Sequence, residues 1–173
     1  MKRFFLLAAI LFSVSAMGQE VKWYSFDDAI KLNKKAPRKL IIDVYTSWCG
    51  WCKVMDKNTF SNNIIAEYLN TNYYPVKFNA EQTEPVIFNN DTFKFVAQGA
   101  RGYHELAAAL LNNQLSYPSV VFMDEQMKSI IYINKGYADA KTFDGIIKFI
   151  GGDVFKTQTW ESWIATYKSP IGN

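Results

Sequence analysis

Two kinds of apolar run alternate along the 173-residue chain, one with the period of strands and one with the period of helices. Leu40-Ile41-Ile42 and Val44-Tyr45 leave almost no polar alternation, the pattern of a strand covered on both faces. Lys39 to Tyr45 is therefore expected to be a central strand. Tyr73 to Asn79 and Ser119 to Met123 are further strands, the latter followed by a turn at Asp124 to Gln126 and a returning strand from Lys128 to Ile133. Helical spacing begins at Ser25, which has Asp28 at capping-box distance and Phe26, Ala29 and Ile30 on one apolar face. Lys34, Lys35 and Pro37 close that helix. The same spacing recurs beyond Cys49 towards Asn58, from Asn62 to Leu69 and from Ala140 to Ile150.

From Ala80 to Ser116 the pattern is irregular and reads as an insert. It predicts a hairpin from Val86 to Phe95 turning at Asn89-Asn90-Asp91, a turn from Gly99 to Gly102, and a helix from about Tyr103 to Leu111. Tyr103, Leu106 and Leu110 would be that helix's buried face, and the hairpin would either cap the site or cover a sheet edge. Trp160, Trp163, Ile164 and Tyr167, spaced i, i+3, i+4 and i+7, predict a C-terminal helix packed on the body, in an extension of about 153–168. The order of elements implies an α/β fold whose mixed sheet has helices on both faces. No repeat or linker divides residues 19–173, which are expected to form one domain.

Met1-Lys2-Arg3, the apolar run Phe4 to Val14 and then Ser15-Ala16-Met17-Gly18 have the three regions of a secretory signal peptide, assigned to residues 1–18. The run is shorter than the about 20 residues of a membrane span. Cleavage after Ala16 or Gly18 would leave a periplasmic protein without a stable membrane anchor and with no cysteine at the junction to carry a lipid. Loss of Lys2 and Arg3 takes the formal charge from +3 to about +1. Binding to nucleic acid or a membrane surface by bulk charge is thereby disfavoured.

Export makes disulfides stable, yet the chain has only two cysteines, Cys49 and Cys52. Closing so short a loop restricts the unfolded chain by about 2 kcal/mol, against about 3 for a loop of fifteen residues, so the pair is a poor staple. Cys49 falls at or just before a helix start, where free N–H groups stabilise a thiolate. Cys49 is expected to be the accessible nucleophile and Cys52, one turn on, the buried resolving thiol. A closed zinc site needs two more ligands, and the single histidine, His104, reads as a capping or surface residue. No metal and no cofactor beyond a redox-active Cys49–Cys52 disulfide are expected.

Trp48-Cys49-Gly50-Trp51-Cys52-Lys53 resembles the active-site motif of the thioredoxin superfamily. The resemblance implies a three-layer α/β/α fold with a mixed central sheet, here with an insert before the cis-proline strand and an extra C-terminal helix. It places Asp43, six residues before Cys49, as a buried acid able to take the proton from Cys52, because burial raises a carboxyl pKa. Lys77 is placed like the lysine facing that acid, or else is a solvated lysine at an edge. Pro118, in Ser116-Tyr117-Pro118-Ser119, resembles the superfamily's cis-proline, which would leave the Tyr117 backbone open to a substrate strand. Gly136 matches a glycine that lets the backbone pass close to the site, or else marks a surface turn. Trp48, Gly50 and Trp51 would contact substrate, the two indoles as an apolar landing surface if exposed, though Trp51 could instead pack inward. The export signal and the stretch Cys52 to Phe60 look most like exported thioredoxin-fold proteins and the C-terminal domain of the thiol:disulfide interchange protein DsbD. That likeness implies a reductase of protein disulfides fed by a membrane electron donor of the DsbD type. Trp51 replaces the proline common between thioredoxin cysteines, no proline kinks the helix at Lys57, and the insert lies outside the minimal fold. Electron flow is therefore open. The alternatives are a disulfide-forming oxidase or isomerase, or a redox-inert protein-binding module.

Overall fold

A computed structural model describes residues 19–172; the expected signal peptide, residues 1–18, lies outside them. Four strands form the central sheet in the order β2-β1-β7-β8. They are β1 (Lys39–Tyr45), β2 (Tyr73–Asn79), β7 (Ser119–Met123) and β8 (Ile130–Lys135). β1 and β2 run parallel, whereas β1/β7 and β7/β8 are antiparallel, so the sheet is mixed. Helices cover both faces of β1, which explains why it is almost continuously apolar.

The two faces of β1 feed two cores. Leu40, Ile42 and Val44 pack with Phe26 and Ala29 of α1 (Phe26–Lys35) and with Leu106 and Leu110 of α4 (Glu105–Leu110). Ile41 packs on the other side with Met55 of α2 (Gly50–Met55), Ile65 and Leu69 of α3 (Asn63–Asn72), and Phe143 and Ile147 of α5 (Ala140–Gly151). Burying each such Ile, Leu or Phe contributes about 1.5–3 kcal/mol. The result is the three-layer α/β/α arrangement. Ser25 caps α1 as its spacing predicts, its side chain accepting the Asp28 N–H at 3.1 Å.

The segment between α2 and α3 departs from the expected continuous helix: Asp56–Phe60 is a π-helical turn. Its Thr59 hydroxyl donates to the Ala138 carbonyl at 2.6 Å, and Phe60 meets Trp23 and Phe143 edge-on. A wider turn, in place of a proline kink, carries the chain from the site into α3.

The insert holds two hairpins where one was expected. β3 (Val86–Phe88) pairs with β4 (Asp91–Phe93), and β5 (Phe95–Gln98) with β6 (Arg101–His104). Tyr103 thus belongs to a strand and not to the buried face of a helix. α4 starts only at Glu105 because His104 Nδ1 accepts the Leu106 N–H at 3.1 Å and fixes the helix start there. His104 is a cap but is fully buried, so its reading as a surface residue is corrected. Phe88 of the first hairpin packs edge-on against Phe26, which puts that hairpin over α1.

The strand after the Asp124 turn runs from Ile130 to Lys135, two residues later than its pattern suggests. At the C-terminus, α6 (Trp160–Thr166) lies on α5, with Trp160 and Trp163 against Phe149 and Tyr167 stacked on Trp163 at 4.7 Å. Asp144, fully buried in α5, accepts hydrogen bonds from Tyr167 at 2.5 Å and Ser169 at 2.6 Å and pairs with Lys148. Ile164, the fourth member of the expected stripe, is 39% exposed. No helix among the described residues is long and apolar enough to cross a membrane.

Candidate active site

β1 ends at Tyr45, and a turn in which the Cys49 N–H reaches the Thr46 carbonyl at 3.2 Å delivers the chain to α2. Cys49 is the N-cap of α2, and its sulfur accepts the Cys52 N–H at 3.1 Å. The two cysteines form a disulfide. In this closed state both are covered, Cys49 at 5% and Cys52 at 3% exposure. The expected contrast between an open and a buried cysteine is therefore absent, because the bond and the Cys52 N–H draw the Cys49 sulfur onto the helix start.

Asp43 shares a face of β1 with Ile41, the face covered by α2 and α5. Its register partner on β2 is Lys77, whose Nζ lies 2.6 Å from Asp43 Oδ2. Lys77 also pairs with Asp56 at the first position of the π-helical turn. The ammonium sits about 5 Å from the rings of Trp23 and Tyr45 and 5.5 Å from that of Phe60. Lys77 is therefore a partner of the buried acid and not a solvated edge lysine. Asp43 Oδ1 is buried and has no hydrogen-bond partner among the described residues. Burial pushes the Asp43 carboxyl up to about 6; Lys77 opposes that rise and the Asp56 charge adds to it. For Lys77, burial works to lower the pKa, but the two carboxylates prevail and raise it. A groove of about 500 Å³ lined by Trp23, Phe60, Asp56 and Lys77 brings solvent to this pair.

The Tyr117–Pro118 peptide bond is cis, and the Pro118 carbonyl accepts the Gly136 N–H at 2.8 Å. Gly136 has φ +84°, yet a Cβ there would meet nothing within 4 Å. The position requires glycine for its backbone conformation, which corrects the expectation of a close backbone approach. Gly50 is likewise surrounded by open space. Trp48 is 50% and Trp51 62% exposed, as an apolar landing surface requires. Trp48 meets the edge of Tyr117 at 6.1 Å, and Trp51 lies 5.4 Å from Tyr137.

Four residues not singled out in the sequence belong to this neighbourhood. Asp56 joins Lys77, and Tyr137 backs Trp51. Glu81 accepts the Trp48 indole N–H with both carboxylate oxygens at 3.0 Å. Arg101 lies over the Trp48 ring at 4.4 Å. Asp56 carried a usable signal, one turn beyond Cys52. Glu81 and Arg101 carried none, because the hairpin fold of the insert brings them there.

The arrangement holds a disulfide that can open to two thiols, a buried carboxyl able to hold a proton, and exposed aromatic walls. Known structures share the architecture. A structure titled DsbH Oxidoreductase superposes with a TM-score of 0.56 at 15% identity, over 88% of this chain and 96% of that one. A thioredoxin from Thermus thermophilus gives 0.57 at 14% identity, over 80% and 94%. A putative disulphide-isomerase from Bacteroides thetaiotaomicron gives 0.54 at 20% identity, over 78% and 97%. These likenesses establish the thioredoxin fold. An uncharacterized protein from Archaeoglobus fulgidus is 33% identical over 75 residues, 43% of this chain and 58% of that protein. One from Caenorhabditis elegans, B0495.5, is 31% identical over 67 residues, 38% of this chain and 9% of that protein. The chain thus spans less than two thirds of either relative. The profile of one family matches residues 9–151 and so takes in the cysteine pair, the buried acid, the insert and the cis-proline strand. The chain belongs to the Thioredox_DsbH family, described as a protein of unknown function, DUF255.

Proposed function

We propose that this protein is an exported thiol:disulfide oxidoreductase that reduces protein disulfides in the periplasm. The observation that carries the reading is the buried Asp43 carboxyl, with one oxygen unpartnered and a pKa near neutrality, on the sheet face covered by the cysteine-bearing helix. Such a group can take a proton from a buried thiol at neutral pH and return it later.

In the dithiol form, the Cys49 thiolate attacks one sulfur of a substrate disulfide. The substrate S–S bond breaks, an intermolecular S–S bond forms, and the departing substrate sulfur takes up a proton. Cys52 then gives its proton to Asp43 and attacks Cys49. The mixed disulfide breaks, the second substrate sulfur leaves as a thiolate, and the Cys49–Cys52 disulfide closes. Two electrons pass to the substrate, so each cycle requires a dithiol donor; a membrane protein of the DsbD type fills that role. The Trp48 and Trp51 indoles supply the surface on which the substrate segment rests, with Tyr117 and Pro118 beside them.

Insulin reduction driven by dithiothreitol, comparing wild type with Cys49→Ser and Cys52→Ser, tests the activity. Wild-type turnover no faster than the variants sinks it. Direction is tested by the reduction potential, where a value near about −270 mV fits a reductase and one near about −120 mV an oxidant.

A further inference from the structure

The hairpin part of the insert enters and leaves at one residue, Ala80, at the end of β1. The Ala80 N–H donates to the Tyr45 carbonyl at 2.8 Å, and the Ala80 carbonyl accepts the His104 N–H at 2.7 Å. Glu81 follows at once and holds the indole N–H of Trp48. The hairpin β5/β6 then brings Arg101 onto the face of the same ring. Its geometry is closely determined, since a Cβ on Gly102 would fall 2.2 Å from the Phe95 ring and 2.4 Å from the Val96 carbonyl. At the base of the hairpin the Glu105 carboxylate accepts the Lys94 N–H at 2.7 Å. Arg101 is thus presented from the exposed turn end of a hairpin whose base is packed, next to the residue that precedes Cys49.

The guanidinium carbon of Arg101 lies over the Trp48 ring, and a guanidinium carries a planar fork of N–H donors that matches a carboxylate. Among the described residues no carboxylate lies within ion-pair distance of Arg101 and no acceptor meets its side chain. Glu81, on the same indole, has both oxygens on the ring N–H. The cation is the solvent-exposed member of the cluster and has no carboxylate partner among the described residues. It lies over Trp48, the residue that immediately precedes Cys49 in the chain.

We infer that Arg101 is a specificity residue, reading an acidic side chain close to the reactive cysteine of the substrate through a bidentate carboxylate contact. This inference rests on the proposed oxidoreductase function and adds the substrate class to it: disulfide-bonded segments with Asp or Glu near the cysteine. Trp48 serves as the platform that aims the guanidinium, and Glu81 fixes the platform.

The test is stopped-flow reaction of the reduced protein with two cystine peptides that differ only in Glu or Lys beside the cysteine. Each rate is divided by the same variant's rate with hydroxyethyl disulfide, which cancels any change in the thiol itself. Wild type is expected to favour the Glu peptide about fivefold at low ionic strength, less as salt is raised. Arg101→Ala should abolish the preference, Arg101→Lys restore part of it, and Arg101→Glu invert it. Equal rates with the two peptides in wild type, a preference for Lys, or a Glu preference that survives in Arg101→Ala would overturn the inference while leaving the oxidoreductase standing. No reaction with any of the three disulfides beyond that of Cys49→Ser would overturn both.

Discussion

Replacing Asp43 by asparagine is expected to stabilise the folded protein at neutral pH while slowing its disulfide exchange. Asp43 is 2% exposed, its Oδ1 lacks a partner, and burial raises its pKa from 3.8 to about 6 even with Lys77 alongside. A carboxyl whose folded pKa exceeds its unfolded value binds its proton more tightly in the folded state. Its contribution to stability is complete below the unfolded value and is lost as pH rises through about 6. A shift of about two units corresponds to roughly 3 kcal/mol once the group is ionised. Asparagine keeps the shape and polarity of the neutral acid without ionising, so the loss above pH 6 disappears. In a domain of this size roughly 3 kcal/mol raises Tm by about 6–12 °C. Urea unfolding of the oxidised protein measures the effect directly. The variant should be more stable by roughly 2–3 kcal/mol near pH 8, and the difference should close as pH falls towards 4. A variant no more stable than wild type near pH 8, or a difference that persists in acid, refutes the argument from the buried carboxylate.

Asp56→Asn removes a charge that helps raise the Asp43 pKa and frees Lys77 for Asp43 alone. The Asp43 carboxyl should then titrate below its wild-type value, as followed by carboxyl-carbon NMR; an unchanged or higher value contradicts the assigned triad. Burial lowers the His104 pKa below 6.5, so the unfolded chain binds its proton more readily. Stability from neutral His104 is complete above about 6.5 and falls as pH drops through the folded value. Amide exchange at Leu106, corrected for its intrinsic rate, should therefore accelerate on acidification, and in His104→Asn it should lose that dependence. Gly136→Ala should cost about 1 kcal/mol or more through its positive φ alone. Gly50→Ala, at a helical position in open space, should gain up to about 1 kcal/mol. Thermal melts showing equal effects of the two alanines would refute this assignment of the glycines.

The core of the fold was legible because its signals are local. β1 announces itself by apolar residues on both faces, and α1 by Ser25, whose cap bond reaches only three residues ahead. The insert was less legible because its pairing depends on contacts that no short window contains. Tyr103 fits the apolar face of a helix continuing through Leu106 and Leu110, yet pairs across to Val96. The helix cannot extend back to it once the His104 side chain has capped the start. Within the site, Cys49 was marked by its place at a helix start, and Asp43 and Pro118 by the spacing that the resemblance supplied. Asp56 was marked by its place one turn beyond Cys52, whereas Arg101 was hidden by a hairpin whose register depends on Gly102 lying flat against Phe95. Lys39 gives the same lesson. It reads as the polar start of a strand, yet it is 4% exposed and held between Glu125 and Asp153, residues remote in sequence.

Ala80 gathers the two hairpins onto a single point of the frame. Its N–H closes onto the end of β1 and its carbonyl onto the start of α4, so the chain between Glu81 and Tyr103 departs from and returns to one socket. The entropy of closing such a loop grows only slowly with its length. The first hairpin is nevertheless tied down, because its Val86 and Phe88 are buried with Phe26 of α1 and Phe78 of β2, so the length that is free to vary is the exposed turn of β5/β6. That turn is the part that carries Arg101, so the residue over Trp48 can change while the sheet and the cysteine helix stay as they are.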